Sequence, residues 1–286
     1  MSLHRREPGA VSLSQETKKI LKSHGIHLNR RLGQNYLVDD FKRNKILNFA
    51  NLSSEDTILE VGPGIGTLTL PLARQTRKVV AIEQDQRICK ILEERLEEEK
   101  IYNVELINAD VLSVDLPDFN KIVSNLPYQI SSPITFKFLE YNFDLAILMY
   151  QKEFAQRMHA HPGSKNYSRL SVMLYFMADV EFLDRVSAQS FIPPPKVESA
   201  VVKLIPKENK IVDDFFKSVC RALFQHRRKK ARKALKESFH EIGDFNKNQA
   251  KEILSKINKE LGEERVFKLS PEQILEISDF LKDILN

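Results

Sequence analysis

Asn125-Leu126-Pro127-Tyr128 follows the apolar run Lys121-Ile122-Val123-Ser124, as a turn follows a strand, and it gathers an amide, a bare backbone carbonyl and an aromatic ring. That set suits one difficult substrate, the exocyclic amine of a nucleobase, whose lone pair is delocalised into the ring. Two acceptors change its reactivity. With the Asn125 side-chain oxygen and the Leu126 carbonyl each accepting an amine hydrogen, the nitrogen turns tetrahedral and its lone pair faces an electrophile. Tyr128 would stack on the base. Taken alone, the tetrapeptide also fits an Asx or proline turn closing a strand, so the elements around it decide.

Ile58-Leu59-Glu60-Val61 is an apolar strand that runs into Gly62-Pro63-Gly64-Ile65-Gly66 and then a helix-like pattern. Glycines allow backbone and ligand to touch. The dinucleotide fingerprint Gly-x-Gly-x-x-Gly would need glycine at Thr67, which disfavours NAD. A second strand, Lys78 to Ile82, ends in Glu83, where a carboxylate can accept both hydroxyls of a ribose. A third, Val104 to Ala109, ends in Asp110, placed for an adenine amine. Ligands bind beyond the carboxyl ends of parallel strands, where both acids fall. Singly, each acid could equally be a solvated strand end or a helix cap.

Taken in order, these motifs resemble the class I methyltransferases that use S-adenosylmethionine, and the tetrapeptide resembles their amino-methylating branch. Arg31-Leu32-Gly33-Gln34-Asn35-Tyr36-Leu37 and Phe191-Ile192-Pro193-Pro194-Pro195-Lys196-Val197-Glu198-Ser199 look like signatures of the ribosomal RNA adenine dimethyltransferases, with an archaeal-like cast. Tyr36 stands where phenylalanine is usual. The resemblance implies S-adenosylmethionine as cofactor, held by Gln34, Asn35, Leu37, Gly62, Gly64, Gly66, Glu83, Asp110 and Asn125. Gly62 would lie against its amino acid portion. The implied catalytic set is Asn125, Leu126, Pro127 and Tyr128 with Phe191, which either joins the stack on the base or anchors the proline turn as a core residue. The implied target is two adjacent adenosines in the 3′-terminal hairpin loop of small-subunit rRNA, within a precursor subunit, each receiving two methyl groups. A loop is a sensible target, since its bases are already partly unstacked.

The 286 residues, 42% hydrophobic, suffice for one substantial core and a smaller second one. A net charge of +5 and a pI near 9.0 favour a polyanionic partner. Nine Lys or Arg and no acid lie between Lys217 and Lys236, while apolar residues recur at helical spacing through the same stretch. Arg227, Arg228, Lys229, Lys230, Arg232 and Lys233 are therefore expected to contact RNA phosphates, the bland alternative being a solvated face. Cys89 and Cys220 lack the paired spacing of a zinc site, and no metal is expected. No apolar run approaches the roughly 18 residues needed to span a bilayer. A monomer in the reducing cytoplasm is the expected setting, with no membrane contact. His159 and His161 receive no role.

The expected fold class is α/β, a mostly parallel doubly wound sheet with a terminal antiparallel hairpin, plus a small all-helical domain. Residues 1–24 form an N-terminal arm that touches RNA or frays, with a short helix over Gln15 to Ser23. The methyltransferase domain covers 25–206 and a helical RNA-binding domain 207–286. Strands alternate with helices such as Gln86 to Glu99 and Ile134 to Glu140; Leu145 to Met149 is the next strand and Gln151 to His159 the next helix. Ser171 to Met177 fits either a strand or an apolar helix face. Three other functions compete: a large-subunit rRNA adenine methyltransferase, a DNA adenine methyltransferase short of a target-recognition domain, and a nonenzymatic assembly or transcription factor on the same fold.

Overall fold

The computed structural model describes residues 12–26, 35–208 and 212–285. Its centre is a seven-stranded sheet, and the order of its strands determines where a ligand can bind. The N-terminal helix α1 (Leu13–Ser23) opens on a capping box between Ser12 and Gln15. A two-residue strand β1 (Tyr36–Leu37) and helix α2 (Asp40–Phe49) follow. Then come β2 (Thr57–Val61), α3 (Thr69–Ala73), β3 (Lys78–Glu83), α4 (Gln86–Glu98) and β4 (Val104–Asn108). The second half-turn is β5 (Lys121–Asn125), α5 (Ser131–Phe138), β6 (Leu145–Gln151) and α6 (Lys152–Met158).

Every residue of β2 is buried, as are the central residues of β3, β5 and β6, so these strands are near-continuous apolar runs covered on both faces. The sheet runs β4-β3-β2-β5-β6 in parallel, and its order reverses between β2 and β5. That reversal opens a crevice at the carboxyl ends of the two strands. It also makes neighbours of the residues that follow β2 and those that end β5, which are the glycine turn and Asn125. Ser124 stitches the two strands just below the crevice, its hydroxyl donating to the Val61 carbonyl at 2.6 Å.

Helix α7 (Arg169–Met177) leads directly into β7 (Ala178–Val186), followed by β8 (Phe191–Ile192) and β9 (Ser199–Pro206). The stretch left open between strand and helix is thus helical, started by reciprocal bonds between Ser168 and Ser171. β9 runs antiparallel to β6 and lies beside β7 at the sheet's far edge. Outside the main sheet, β1 pairs antiparallel with β8, Tyr36 opposite Ile192 and Leu37 opposite Phe191. Two signature segments far apart in sequence meet there. Leu37 and Phe191 enter one core with Ile58, Val123, Ile147, Met149 and Val201.

The remaining helices are α8 (Asp214–Gln225), α9 (Ala231–Glu237), α10 (Lys247–Ser255), α11 (Lys259–Glu263) and α12 (Pro271–Leu285). The chain divides into two compact units: one joins the residues up to Lys152 with Phe182–Ile205, the other joins Glu153–Glu181 with the residues from Pro206 onward. Glu153–Glu181, placed within 25–206 by the sequence reading, therefore clusters with the C-terminal helices. The second unit has its own core, built on Phe216, Val219, Cys220, Leu223, Ala234 and Leu235. Tyr167 ties into it by donating its buried hydroxyl to the Leu269 carbonyl at 2.9 Å. Among the described residues, no helix is long and apolar enough to cross a membrane.

Candidate active site

A pocket opens over the carboxyl ends of β2, β3, β4 and β5, and its walls carry most of the residues singled out from the sequence. Asn35, Leu37, Gly62, Gly64, Glu83, Asp110, Asn125, Leu126, Pro127 and Tyr128 all line it. Gln34 lies outside the described residues, as do Arg31 to Gly33 of the same signature.

Asn125 ends β5, and its side-chain nitrogen donates to the Asn35 carbonyl at 3.1 Å. A carbonyl partner requires a donor, so this bond fixes which way the amide points and leaves Oδ1 as the acceptor. The Leu126 side chain is buried and pins the following peptide, while Pro127 holds φ at −60° and has no N–H to compete with an incoming amine for the Asn125 oxygen. Tyr128 then starts a 3-10 turn with its hydroxyl paired to the Ser199 hydroxyl on β9. Burial raises the Tyr128 phenol above its ordinary pKa, so the group stays neutral. Its ring is held as a wall of the pocket.

Gly62 and Gly64 both have φ in the left-handed region, +67° and +56°. A Cβ on Gly62 would meet Pro127 Cγ at 3.3 Å, and one on Gly64 would meet Tyr36 Cε1 at 2.9 Å. The two glycines therefore make room for the Pro127 turn and for the Tyr36 ring. Gly66 does not line the pocket; a Cβ there would strike Leu92 Cδ1 at 2.7 Å, so its smallness serves helix packing rather than the cofactor.

Glu83 accepts from the Asp85 amide at 2.9 Å through Oε1 and from the Gly64 amide at 3.3 Å through Oε2. Each carboxylate oxygen keeps a further lone pair for a diol. Burial lifts the Glu83 carboxyl above the ordinary glutamate range, with the two amides pulling the other way. Asp110 is exposed at the rim and accepts from the Leu112 amide at 2.9 Å.

Phe191 is not on the wall. It is 1% exposed, opposite Leu37 in the β1–β8 pair and inside the main core, so the stacking role is corrected to the core role. A residue the sequence reading passed over takes a place instead. Glu60, at the penultimate position of β2, is 2% exposed and lines the pocket, and its Oε2 has no partner among the described residues. Burial, reinforced by the Glu83 charge, pushes its carboxyl up to about 8, against the nearby Thr69 hydroxyl. The signal was available, since an acid inside a strand buried on both faces needs a reason.

Among the described residues, the buried hydroxyls of Tyr36 and Thr67 also have no partner, and both residues line the pocket. Orphaned polar atoms, glycines whose Cβ would collide and a carboxylate with spare lone pairs together suit a nucleoside carrying a charged amino acid tail. S-adenosylmethionine has that character, and the pocket residues fit it. Among the described residues, no three His, Cys, Asp or Glu side chains are grouped to hold a metal. Both thiols are buried, Cys89 pushed up to about 11 and Cys220 to about 12 chiefly by burial.

The basic run of the second unit divides by partner. Arg227 donates to the carbonyls of Tyr167 and Lys165 at 2.6 and 2.8 Å, and Arg232 to those of Leu254 and Ile257 at 3.1 Å each. These two hold the helical unit together. Lys229 pairs with Glu237, and Lys230 with Glu263 at 2.7 Å. Arg228 and Lys233 are exposed, and neither forms an ion pair among the described residues.

A model of the ribosomal RNA adenine dimethylase family matches residues 25–283. A probable ribosomal RNA small subunit methyltransferase A of Methanothermobacter thermautotrophicus is 54% identical over 95% of this chain and 97% of its own length. A relative of the same name from Thermococcus onnurineus is 48% identical over 92% and 96%. Among solved structures, a dimethyladenosine transferase from Plasmodium falciparum superposes with a TM-score of 0.72 at 31% identity, covering 84% of this chain and 94% of that one. The 23S rRNA methyltransferase ErmE gives 0.62 at 28%, covering 87% and 100%.

Proposed function

The chain belongs to the ribosomal RNA adenine dimethylase family, and from that premise we propose that its pocket moves methyl groups from S-adenosylmethionine to the exocyclic amines of two adjacent adenosines in the 3′-terminal hairpin loop of small-subunit rRNA. The cofactor, when bound, supplies a methyl carbon already activated by its sulfonium. The chain's own part is to hold and orient. Glu83 takes the ribose, Asp110 the adenine, and the turn at Gly62 and Gly64 the amino acid portion, with Asn35 and Leu37 closing the side.

At the acceptor end, Asn125 Oδ1 and the Leu126 carbonyl receive the two amine hydrogens and turn the nitrogen lone pair toward the cofactor. Tyr128 stacks on the flipped base and excludes water. Positioning carries most of the rate, as it does whenever both reactants arrive activated or aligned. No side chain need act as a base, because the methylated ammonium is acidic enough to lose its proton unaided. The second transfer leaves one amine hydrogen for Asn125 and Leu126 to share.

The observation that carries this reading is the bond from Asn125 to the Asn35 carbonyl, which engages the amide nitrogen as donor and so presents the oxygen as acceptor. The names of the relatives support the small subunit as target over the large one. The proposal also places the enzyme on a precursor subunit in the cytoplasm, working as a monomer. Methyl-labelled cofactor offered with unmodified small subunits, free small- and large-subunit rRNA and DNA tests it. Dimethyladenosine at two adjacent positions of the small-subunit hairpin is the expected product. Label on large-subunit rRNA or DNA, or no label despite cofactor binding, overturns the reading.

A further inference from the structure

We propose that the hydroxyl of Tyr36 is a binding group for the cofactor, donating its hydrogen to one of the ribose hydroxyls that Glu83 grips. The inference rests on reading the pocket as an S-adenosylmethionine site and adds to it a contact that phenylalanine, the usual residue of the signature, cannot make.

Tyr36 is 7% exposed and lines the pocket with its ring laid across Gly64. Its oxygen is buried, yet among the described residues it has no hydrogen-bond partner. Buried hydroxyls are rarely left this way, because the lost hydration is not replaced. The surroundings divide in two. Leu21, Ile65, Ile88 and Ile91 pack with Tyr36 in a small apolar cluster and offer no acceptor from their side chains. The charges acting on the phenol are those of Glu83, Asp85 and Arg87. Burial first, then the two acids, raise the phenol's pKa, so it is a neutral O–H donor.

The missing partner follows from the chemistry of a diol. A ribose hydroxyl that donates to a carboxylate still has an oxygen with lone pairs to satisfy. Glu83 can only accept from it, and the amides that reach that carboxylate, those of Gly64, Gln84 and Asp85, are directed at Glu83 itself. Tyr36 is a donor in need of an acceptor beside a ligand group in need of a donor. Tyr36 and Glu83 are therefore the two halves of one ribose clamp, the first donating and the second accepting.

Calorimetry with S-adenosylhomocysteine and its 2′-deoxy and 3′-deoxy analogues, on wild type and Tyr36→Phe, tests this. The variant should bind S-adenosylhomocysteine about 5- to 15-fold more weakly, as expected for one lost buried hydrogen bond. That penalty should vanish for the analogue lacking the contacted hydroxyl and persist for the other. Without ligand, Tyr36→Phe should melt at the same temperature as wild type or higher, because an unpaired hydroxyl has been removed. An unchanged affinity, a penalty equal for all three ligands, or a ligand-free Tm several degrees lower would each overturn the assignment. Failure of wild type to bind S-adenosylhomocysteine at all would instead count against the pocket reading.

Discussion

At the scale of single residues, the site rests on which way one amide points. Asn125 donates to the Asn35 carbonyl, so its two polar atoms have different duties, and replacing each duty separately is informative. Asn125→Ala should lower the single-turnover methylation rate by about 10²–10³-fold, the usual effect of removing one preorganised hydrogen-bonding group from a transition state. The affinity for S-adenosylhomocysteine should change by less than about threefold. Asn125→Asp keeps an acceptor but sets a carboxylate oxygen against the Asn35 carbonyl, so it should be inactive as well and less stable. Wild-type turnover in either variant would remove Asn125 from the mechanism. Glu60 gives a prediction in pH. Its folded-state pKa of about 8 lies above the ordinary 4.5, so the folded protein holds a proton that the unfolded chain releases. Stability of the ligand-free protein should therefore fall as pH rises from about 4.5 to about 8, by up to about 1.4 kcal/mol per pH unit, and level off above. Glu60→Gln should remove that slope in urea titrations run across the window. Parallel curves for the two proteins would mean that the carboxyl is ionised in both states.

Elements set these residues in place, and some elements were easier to foresee than others. The runs ending at Val61, Glu83 and Asn125 are short, apolar and followed by turn or acid signals, so strand identity and the ligand-facing ends were legible. Ser171 to Met177 was not, because an apolar run without polar punctuation fits a buried strand or a buried helix equally; the Ser168–Ser171 cap decides it. Phe191 illustrates a deeper limit. Its motif was visible, but its direction depends on β8 pairing with β1, a contact across most of the first unit that no local pattern encodes. The glycine turn shows the same distinction in one element, since three glycines that look alike in sequence do different things. Gly64→Ala would place a Cβ at φ +56° and 2.9 Å from the Tyr36 ring, moving a wall of the pocket. It should weaken S-adenosylhomocysteine binding by about tenfold or more, on top of about 1–2 kcal/mol of backbone strain. Gly66→Ala would collide with Leu92 away from the pocket, at φ +90°. There, denaturation should report a loss of about 1–3 kcal/mol from overpacking plus strain, while the folded protein binds ligand almost normally. Equal affinity losses in the two variants would contradict the division of labour.

For the whole molecule, the question is how much of its charge is available to a polyanion. The net charge of +5 and the acid-free stretch from Lys217 to Lys236 are properties of the linear chain, which cannot show what folding brings opposite them. Partners arrive from a distance: Arg227 meets carbonyls near residue 166, Arg232 meets carbonyls at the end of α10 and just beyond it, and Lys230 meets Glu263. Basic density near α8 and α9 is therefore in part internal scaffolding, and in part exposed pairs such as Lys230–Glu263, which contribute little to stability. Among the described residues, Arg228, Lys233 and Lys236 of that stretch are exposed and in no ion pair, and the first two, within the run Arg227 to Lys233, carry the expectation that this unit touches RNA. Arg228→Gln with Lys233→Gln should leave thermal stability within about 0.5 kcal/mol of wild type, because neither side chain forms an ion pair among the described residues. The double variant should bind small-subunit rRNA more weakly whatever the loop sequence, and the slope of log affinity against log salt should shrink by about 1 to 2, one counterion for each lost phosphate contact. Arg232→Ala should behave in the opposite way. It abandons the Leu254 and Ile257 carbonyls and one carboxylate, so the helical unit should lose about 1–3 kcal/mol while the salt slope of the folded fraction stays as in wild type. Filter binding across a salt series together with thermal melts separates the two outcomes. An unchanged slope in the double variant would mean that the C-terminal unit meets its target by something other than these charges, leaving RNA affinity to the unit that holds the pocket.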